Sequence, residues 1–249
     1  LCFVFAYAIA PTPTKHPALR LRGGRRTPLR AIALRFLYSF YVFRQDENGY
    51  LLGVVDCAGH GVAGAFMTML AYASFNRVTT HIGLNNPAGI LDHMDQAIRA
   101  MLGIGIRQQN IATQIDAGFA YIDAVSHQVT YSGAKIALYR SIGETVDSIK
   151  GSRRALGERQ AGQYQNDNFP LQDNMTLYLT TDGFLDQNGG EKNYGYGNAR
   201  FMELIRGQAG QPPAAQGQAF AEALAAWRGN NPQRDDITVL GFQPPAQHR

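Results

Sequence analysis

LLGVVDCAGHGVAGAFMTM, residues Leu51 to Met69, runs from a short apolar strand through a glycine-rich turn into a helix. Leu51, Leu52, Val54 and Val55 suit a strand covered on both faces, and Asp56 stands where that strand ends. A carboxylate on a rigid strand end, with Gly59, Gly61 and Gly64 letting the backbone come close, is how a site holds a hard cation or a phosphate group. The same glycines spell G-x-G-x-x-G, the dinucleotide fingerprint. That fingerprint wants a ribose-binding acid about 20 residues on. The chain offers Thr79, Thr80, His81 and Ile82 there, with no acid before Asp92. Asp56 would also repel a pyrophosphate unless a cation lay between them. The metal reading is therefore preferred over a dinucleotide site and over a plain structural turn.

Working outward, SFYVFRQDENGYLLGVVD reads as two strands joined at Asn48-Gly49, a hairpin signal. After the glycine turn, Val62, Phe66, Met69, Leu70 and Ala73 share one face of a helix expected to reach about Val78. Asn86 caps a second helix, with Pro87 at its first position, running to about Leu102. Two helices in succession break the parallel βαβ pattern. AGFAYIDAVSHQVTYSGAKIALYR then gives three strand-like pieces, most simply an antiparallel meander, and Ser141 to Gln163 reads as loop and irregular strand. Met175, Leu177 and Leu179 alternate with Thr176, Tyr178 and Thr180 before Asp182-Gly183, a second strand ending in an aspartate. Helices follow near Ala199 to Arg206 and from Pro213 to Trp227, the latter stopping at Gly229. Asp235 and Asp236 then precede the strand Ile237 to Leu240.

The chain of 249 residues is long enough for one large domain or two small ones, with a full core. Cys2 and Cys57 make no disulfide or zinc framework, which points to a reducing, cytoplasmic compartment. The formal charge of +4 is unevenly spread. Residues 1–38 carry seven basic side chains and no acid, while the remainder has 16 basic and 19 acidic ones. Basic character thus belongs to the leader, and nucleic-acid binding by the whole protein does not follow. Leu1 to Ala10 is apolar but too short to span a bilayer. The expectation is an irregular basic leader over 1–38, disordered or foreign to the fold, and one domain over 39–245.

Asp56, Asp182 and Asp235 share one placement, beside a turn at the edge of an apolar strand. One such aspartate alone is more simply a turn former. Three gathered carboxylates repel in a low dielectric, and a divalent cation compensates. Oxygen-only ligation points to Mg²⁺ or Mn²⁺. A carboxylate bridging two such ions makes the water between them a nucleophile near neutral pH, which is the chemistry of phosphoester hydrolysis.

VVDCAGHGVAGAFMTM, LYLTTDGFLDQNGG and QRDDITVLGF together resemble the metal-dependent PPM (protein phosphatase 2C-like) phosphatases, in particular their bacterial SpoIIE-like branch, over about residues 39 to 243. The resemblance implies an α/β sandwich, two antiparallel sheets flanked by helices, with two Mn²⁺ or Mg²⁺ ions. It implies that Asp56 bridges the metals, that the Cys57 carbonyl binds one ion and that Asp182 and Asp235 hold the other. Asp236 is then a supporting residue behind the ligands, and His60 a candidate general acid or simply the residue that orders the turn. His93, beside Asp92, reads as a surface residue. The family's first motif, Gly-Asp-Phe-Tyr, is matched by Tyr38, Ser39, Phe40 and Tyr41, so Ser39 stands in the place of an acid that supports the metals. The resemblance implies a phosphoserine/phosphothreonine protein phosphatase acting on a bacterial signalling partner, such as a phosphorylated STAS-type antagonist of an anti-sigma factor. A second copy of the chain is a further candidate partner, and a membrane tether would come from an upstream region. The alternative is a catalytically weakened binding module on the same fold, following from Ser39.

Overall fold

The computed structural model describes residues 3–9, 38–104 and 114–244. In chain order the first elements are β1 (Phe3–Ile9), β2 (Ser39–Gln45), β3 (Gly49–Cys57), α1 (Gly61–Ile82), α2 (Pro87–Leu102), β4 (Ile115–Asp123) and β5 (Gln128–Ala134). Then come β6 (Leu138–Ile142), β7 (Thr145–Ile149), β8 (Asp167–Pro170), β9 (Met175–Thr180) and the single-turn α3 (Asp182–Leu185). The chain closes with β10 (Asn188–Gly189), β11 (Tyr194–Gly195), α4 (Gly197–Arg206), α5 (Pro213–Arg228) and β12 (Ile237–Gln243). These elements fall into two compact units, one holding β1, Tyr139–Ser148 and the described residues from Gln172 onward, the other holding the rest.

The unit that contains Asp56 is built on a five-stranded sheet of order β2-β3-β4-β5-β8. Its first hairpin turns over Asp46, whose Oδ1 accepts the backbone N–H groups of Asn48 (2.9 Å) and Gly49 (2.8 Å) and the Tyr121 hydroxyl (2.9 Å). Register follows: Gln45 opposes Tyr50 and Ser39 opposes Asp56, while Leu51 opposes Tyr121 and Asp56 opposes Asp116. Leu51, Val55, Phe119 and Tyr121 join Met67, Phe75, Ile90, Met94 and Ile98 in one buried cluster, so α1 and α2 cover that face. Leu52 and Val54, of opposite parity, are buried as well, as the double-sided reading of this strand required. Phe75 stacks on Phe119 at 5.3 Å, and removing either ring would cost about 3–5 kcal/mol.

Helix α1 buries Gly64, Met67, Thr68, Ala71, Ser74, Phe75 and Val78. Of the apolar stripe singled out in the sequence, Val62 (88 %), Phe66 (56 %) and Met69 (69 %) are exposed on the other side, while Leu70 is partly buried against the core. Apolar residues line both sides of this helix, so periodicity cannot choose between them. The buried face is the one that carries Gly64, where the Tyr38 ring leaves no room for a Cβ. Helix α2 starts as expected: Asn86 Oδ1 accepts the Gly89 N–H at 3.1 Å, Pro87 occupies the first turn, and Gly103 ends it in the left-handed conformation. Asp95 of α2 is buried and accepts the Gly157 N–H at 2.7 Å, while Arg99 donates to the carbonyls of Glu158 and Arg159.

The other unit has a five-stranded sheet of order β1-β12-β9-β6-β7. All six residues of β9 are buried. Beside it lies an aromatic cluster, with Phe184 5.1 Å from both Tyr196 and Phe201, Phe201 5.6 Å from Phe220, and Tyr139 4.8 Å from Phe201. The indole N–H of Trp227 donates to the Gln187 carbonyl at 2.9 Å, and the Arg200 guanidinium sits 4.3 Å over its ring.

Three expectations need correction. The expected meander is split: β4 and β5 pair, but β6 joins the sheet of β9, because Lys135 at φ 64 turns the chain after Ala134. Ser141 to Gln163 holds the regular strand β7, paired to β6 around Gly143 at φ 57, and the edge strand β8 has no counterpart in the expectation. The leader is not irregular throughout, since the backbone of Phe3–Ile9 pairs antiparallel with β12; the remainder of 1–38, apart from Tyr38, lies outside the described residues.

Burial raises the Asp95 carboxyl above its ordinary value, against the opposing Gly157 hydrogen bond and Arg99 charge. A carboxyl whose folded pKa is raised favours the fold most when protonated, and that contribution is lost as pH rises through the folded pKa. Asp95→Asn, which keeps an acceptor for Gly157, is therefore expected to raise the urea midpoint at about pH 7 and leave it unchanged at about pH 3. Chemical denaturation at both pH values checks this.

Candidate active site

In the sheet of β3, Asp56 is the last residue but one of the strand and is half-buried. The Cys57 N–H donates to the Tyr38 carbonyl at 2.9 Å and the Ala58 N–H to that of Gln114 at 2.9 Å, so the strand end is pinned on both sides. The turn that follows needs glycine twice for its backbone, at Gly59 (φ 106) and Gly61 (φ 64). Gly64 is required for space, since a Cβ there would lie 2.3 Å from the Tyr38 ring. The Gly61 N–H donates to the Tyr38 hydroxyl at 2.5 Å. Tyr38 thus bolts the start of α1 to the end of β3.

Ser39, Asp56 and Asp116 form one row across β2, β3 and β4. Residues directly opposite in antiparallel strands project to the same face, here the face away from α1 and α2. Burial pushes the Cys57 thiol up to about 12, with the Thr68 hydrogen bond opposing and the charges of Asp56 and Asp116 adding to the rise. The thiol stays protonated, and the usable donor at Cys57 is its backbone carbonyl. His60 is exposed at the N-cap of α1 and its side chain makes no capping hydrogen bond. His93 is exposed on α2, its ring nitrogen 2.8 Å from the Gly89 carbonyl, which makes it a surface residue.

In the other unit, Asp182 begins α3 immediately after β9, and Asp235 immediately precedes β12. Thr181 ties the two places together: its N–H donates to the Thr238 carbonyl (3.1 Å), its hydroxyl donates to the Asp236 carbonyl (3.1 Å), and the same oxygen accepts the Thr238 N–H (3.0 Å). Gly183 packs so closely that a Cβ would stand 2.4 Å from the Asp236 carbonyl oxygen and 3.2 Å from the Asp235 Cβ. Asp182 and Asp235 therefore occupy one corner of this sheet, both exposed, with Asp236 buried behind them. Asp235 Oδ1 accepts the Asp236 N–H at 2.8 Å, which orients its carboxylate.

Asp56 and the Cys57 carbonyl belong to one unit, Asp182 and Asp235 to the other. Among the described residues no three of His, Cys, Asp or Glu come together tightly enough to hold a metal ion on their own. The donor chemistry nevertheless suits a hard divalent cation: every donor is an oxygen, on a carboxylate or a backbone carbonyl. The dinucleotide reading fails, because β3 lies between antiparallel neighbours and α1 leads into α2 and not into a parallel strand. Sequence reasoning missed the part that Tyr38 plays in holding the turn and the placement of Asp116. Asp116 was visible as an acid in the second position of the apolar strand IDAGFAYID, but only the register tells that it faces Asp56.

Antiparallel sheets carrying helices, with aspartates at strand ends beside glycine turns, define a PP2C-type phosphatase domain. The chain belongs to the stage II sporulation protein E (SpoIIE) family, whose model matches residues 46–244. It is 48 % identical to the SiaA-PP2C domain of Pseudomonas aeruginosa, covering 84 % of this chain and 81 % of that one with a TM-score of 0.78. The PP2C phosphatase domain of SpoIIE from Bacillus subtilis, with a fragment of its regulatory domain, shares the fold at 12 % identity and a TM-score of 0.73, covering 98 % of this chain and 63 % of that one. The phosphoserine phosphatase RsbP of Bacillus subtilis (strain 168) is 24 % identical over 152 residues, which is 60 % of this chain and 36 % of RsbP. The match thus spans about a third of that curated relative.

Gly183→Ala is expected to push α3 off the start of β12. Overpacking of this kind costs about 2 kcal/mol, or roughly 5 °C in melting temperature for a chain of this size. Differential scanning calorimetry of the variant beside wild type checks it.

Proposed function

We infer that the protein is a metal-dependent serine/threonine phosphatase that hydrolyses phosphoserine or phosphothreonine on a partner protein. The observation that carries this reading is the corner where Thr181 and Gly183 hold Asp182 and Asp235 side by side. Asp56, beside a glycine turn in the other unit, is the third strand-end aspartate of the same domain family. The ions are two Mn²⁺ or Mg²⁺. Asp56 and the Cys57 carbonyl would hold one side of the pair, and Asp182 and Asp235 the other. When bound, such ions supply a water that is nucleophilic near neutral pH and grip the phosphoryl oxygens.

The chain's own residues set the rest. Asp236, buried with its N–H on Asp235, fixes the direction of that carboxylate. The Cys57 thiol, pushed up to about 12, is withheld from nucleophilic attack. His60, exposed at the head of α1, is the candidate donor of a proton to the departing serine or threonine oxygen. A phosphorylated STAS-type antagonist of an anti-sigma factor is the proposed class of partner, in a cytoplasmic setting; among the described residues no helix is long and apolar enough to cross a membrane. The named phosphatases among the relatives do not favour the alternative of a silent binding module.

Phosphate release from a phosphoserine protein or an aryl phosphate is expected to need Mn²⁺ or Mg²⁺ and to stop on chelation. Asp182→Asn and Asp235→Asn are each expected to lower the rate at least about a hundredfold, in keeping with several kcal/mol of lost charge stabilisation. Absence of turnover by the wild-type chain, or turnover indifferent to chelator, would overturn the reading.

A further inference from the structure

Residues 150–166, between β7 and β8, carry Lys150, Arg153, Arg154 and Arg159 against the single acid Glu158. Residues 39–249 together have 16 basic and 19 acidic side chains, so this run is a basic island on a mildly acidic body. Charge of one sign gathered on such a surface draws partners of the other sign.

The run is pinned to the end of the sheet that carries Asp56. The Ser152 N–H donates to the Gly133 carbonyl (2.7 Å), the Lys135 N–H to the Ser152 carbonyl (2.8 Å), and Leu156 exchanges both backbone bonds with Ile115 (2.9 and 3.0 Å). Ile115 in turn pairs with Cys57, so Leu156 lies two strand spacings, about 10 Å, from the end of β3. Gly151 passes so close to the sheet that a Cβ would stand 2.4 Å from the Ile136 carbonyl oxygen. Arg153, three residues before Leu156, therefore stands within about 20 Å of that strand end, the span of roughly six residues of extended chain.

The acid of the run is used inside it. Glu158, with its side chain 12 % exposed, accepts the Ala155 N–H (3.0 Å) and Arg154 (2.9 Å) and lies 3.8 Å from Lys135 Nζ. Lys150, Arg153 and Arg159 are exposed, and among the described residues no acid pairs with them. Arg99 of α2 holds the carbonyls of Glu158 and Arg159, which places Arg159 at the helix side. Lys150 and Arg153 remain as free cations on either side of Ser152, beside Arg154, which Glu158 and Gln160 steady.

Resting on the phosphatase reading above, we propose that Lys150 and Arg153 dock acidic residues of the partner protein that flank its phosphorylated serine or threonine. An acidic partner is repelled by the body of the domain and finds opposite charge at this border, at a distance from Asp56 that a few residues of extended chain bridge. Arg153 and Lys150 are thus specificity-determining residues that act through the hold on the substrate and not on the reacting atoms.

Steady-state kinetics of the full chain with Mn²⁺ test this on two synthetic phosphoserine peptides, beside p-nitrophenyl phosphate. The peptides differ only in carrying glutamate or glutamine at the positions within about six residues of the phosphoserine. Wild type is expected to favour the acidic peptide about fivefold, through KM, as two exposed charge pairs allow. That preference is expected to fade as salt is raised to about 0.5 M. K150A/R153A is expected to bring the two peptides to equal KM, and R153E to reverse their order, with kcat held. The aryl phosphate has no flanking residues, and its turnover reports that fold and chemistry are intact. Wild-type turnover that treats both peptides alike, that is confined to the aryl phosphate, or whose preference survives K150A/R153A overturns the proposal. So does R153E-sensitive binding of a single-stranded oligonucleotide without any preference between the peptides, which makes the border a nucleic-acid surface. Absence of turnover on all three substrates is instead the failure of the phosphatase reading, and the proposal falls with it.

Discussion

The constraint from which the site follows is the register of β3 between its two neighbours. A slip of one residue would send Asp56 to the face covered by α1 and α2 and bring Val55 out in its place. Two features forbid the slip. The Phe119 ring lies where a Cβ of Gly53 would be, 2.2 Å away, and Gly49 is pressed against the Ile122 carbonyl, whose oxygen would stand 2.0 Å from a Cβ. Only glycine fits at either place, so the strand seats in one way. Burial of Leu52 and Val54 on one face and of Leu51 and Val55 on the other adds the hydrophobic penalty for any alternative.

The second aspartate corner is built by different means. A single threonine hydroxyl, on Thr181, both donates to the Asp236 carbonyl and accepts from the Thr238 N–H. That pair of bonds replaces a stretch of sheet ladder at the point where β9 gives way to α3. Backbone groups that would otherwise be orphaned at a buried strand end are satisfied, and the two carboxylates are left pointing outward. Thr181 is entirely buried, which makes the geometry stiff.

Most of the architecture was legible because the sequence is locally consistent. Asn86-Pro87 announced α2, Gly229 the end of α5, and the motif strands β3, β9 and β12 all carry their aspartates where apolar runs stop. What escaped has physical reasons. Helix α1 has apolar residues on both sides, and its buried side was selected by Tyr38 packing on Gly64, a contact between residues far apart in the chain. β6 follows β5 so closely that a meander was the simplest guess, and the left-handed turn at Lys135 has no glycine to betray it. β8 is four residues with a proline at its end, below what alternation can detect. Of the site, the motif acids could be found as punctuation at strand ends, whereas the place of Asp116 opposite Asp56 became visible only through strand pairing.

The aromatic cluster of the second unit contains the chain's only tryptophan. With its indole N–H fixed on Gln187 and a guanidinium stacked on its face, Trp227 sits in surroundings unlike bulk solvent. Its emission consequently belongs to the unit that carries Asp182 and Asp235 and to no other part of the molecule. Light absorbed near the red edge of the protein spectrum therefore watches that half alone, while circular dichroism watches both, and comparing the two signals reveals whether the halves come apart together or in turn.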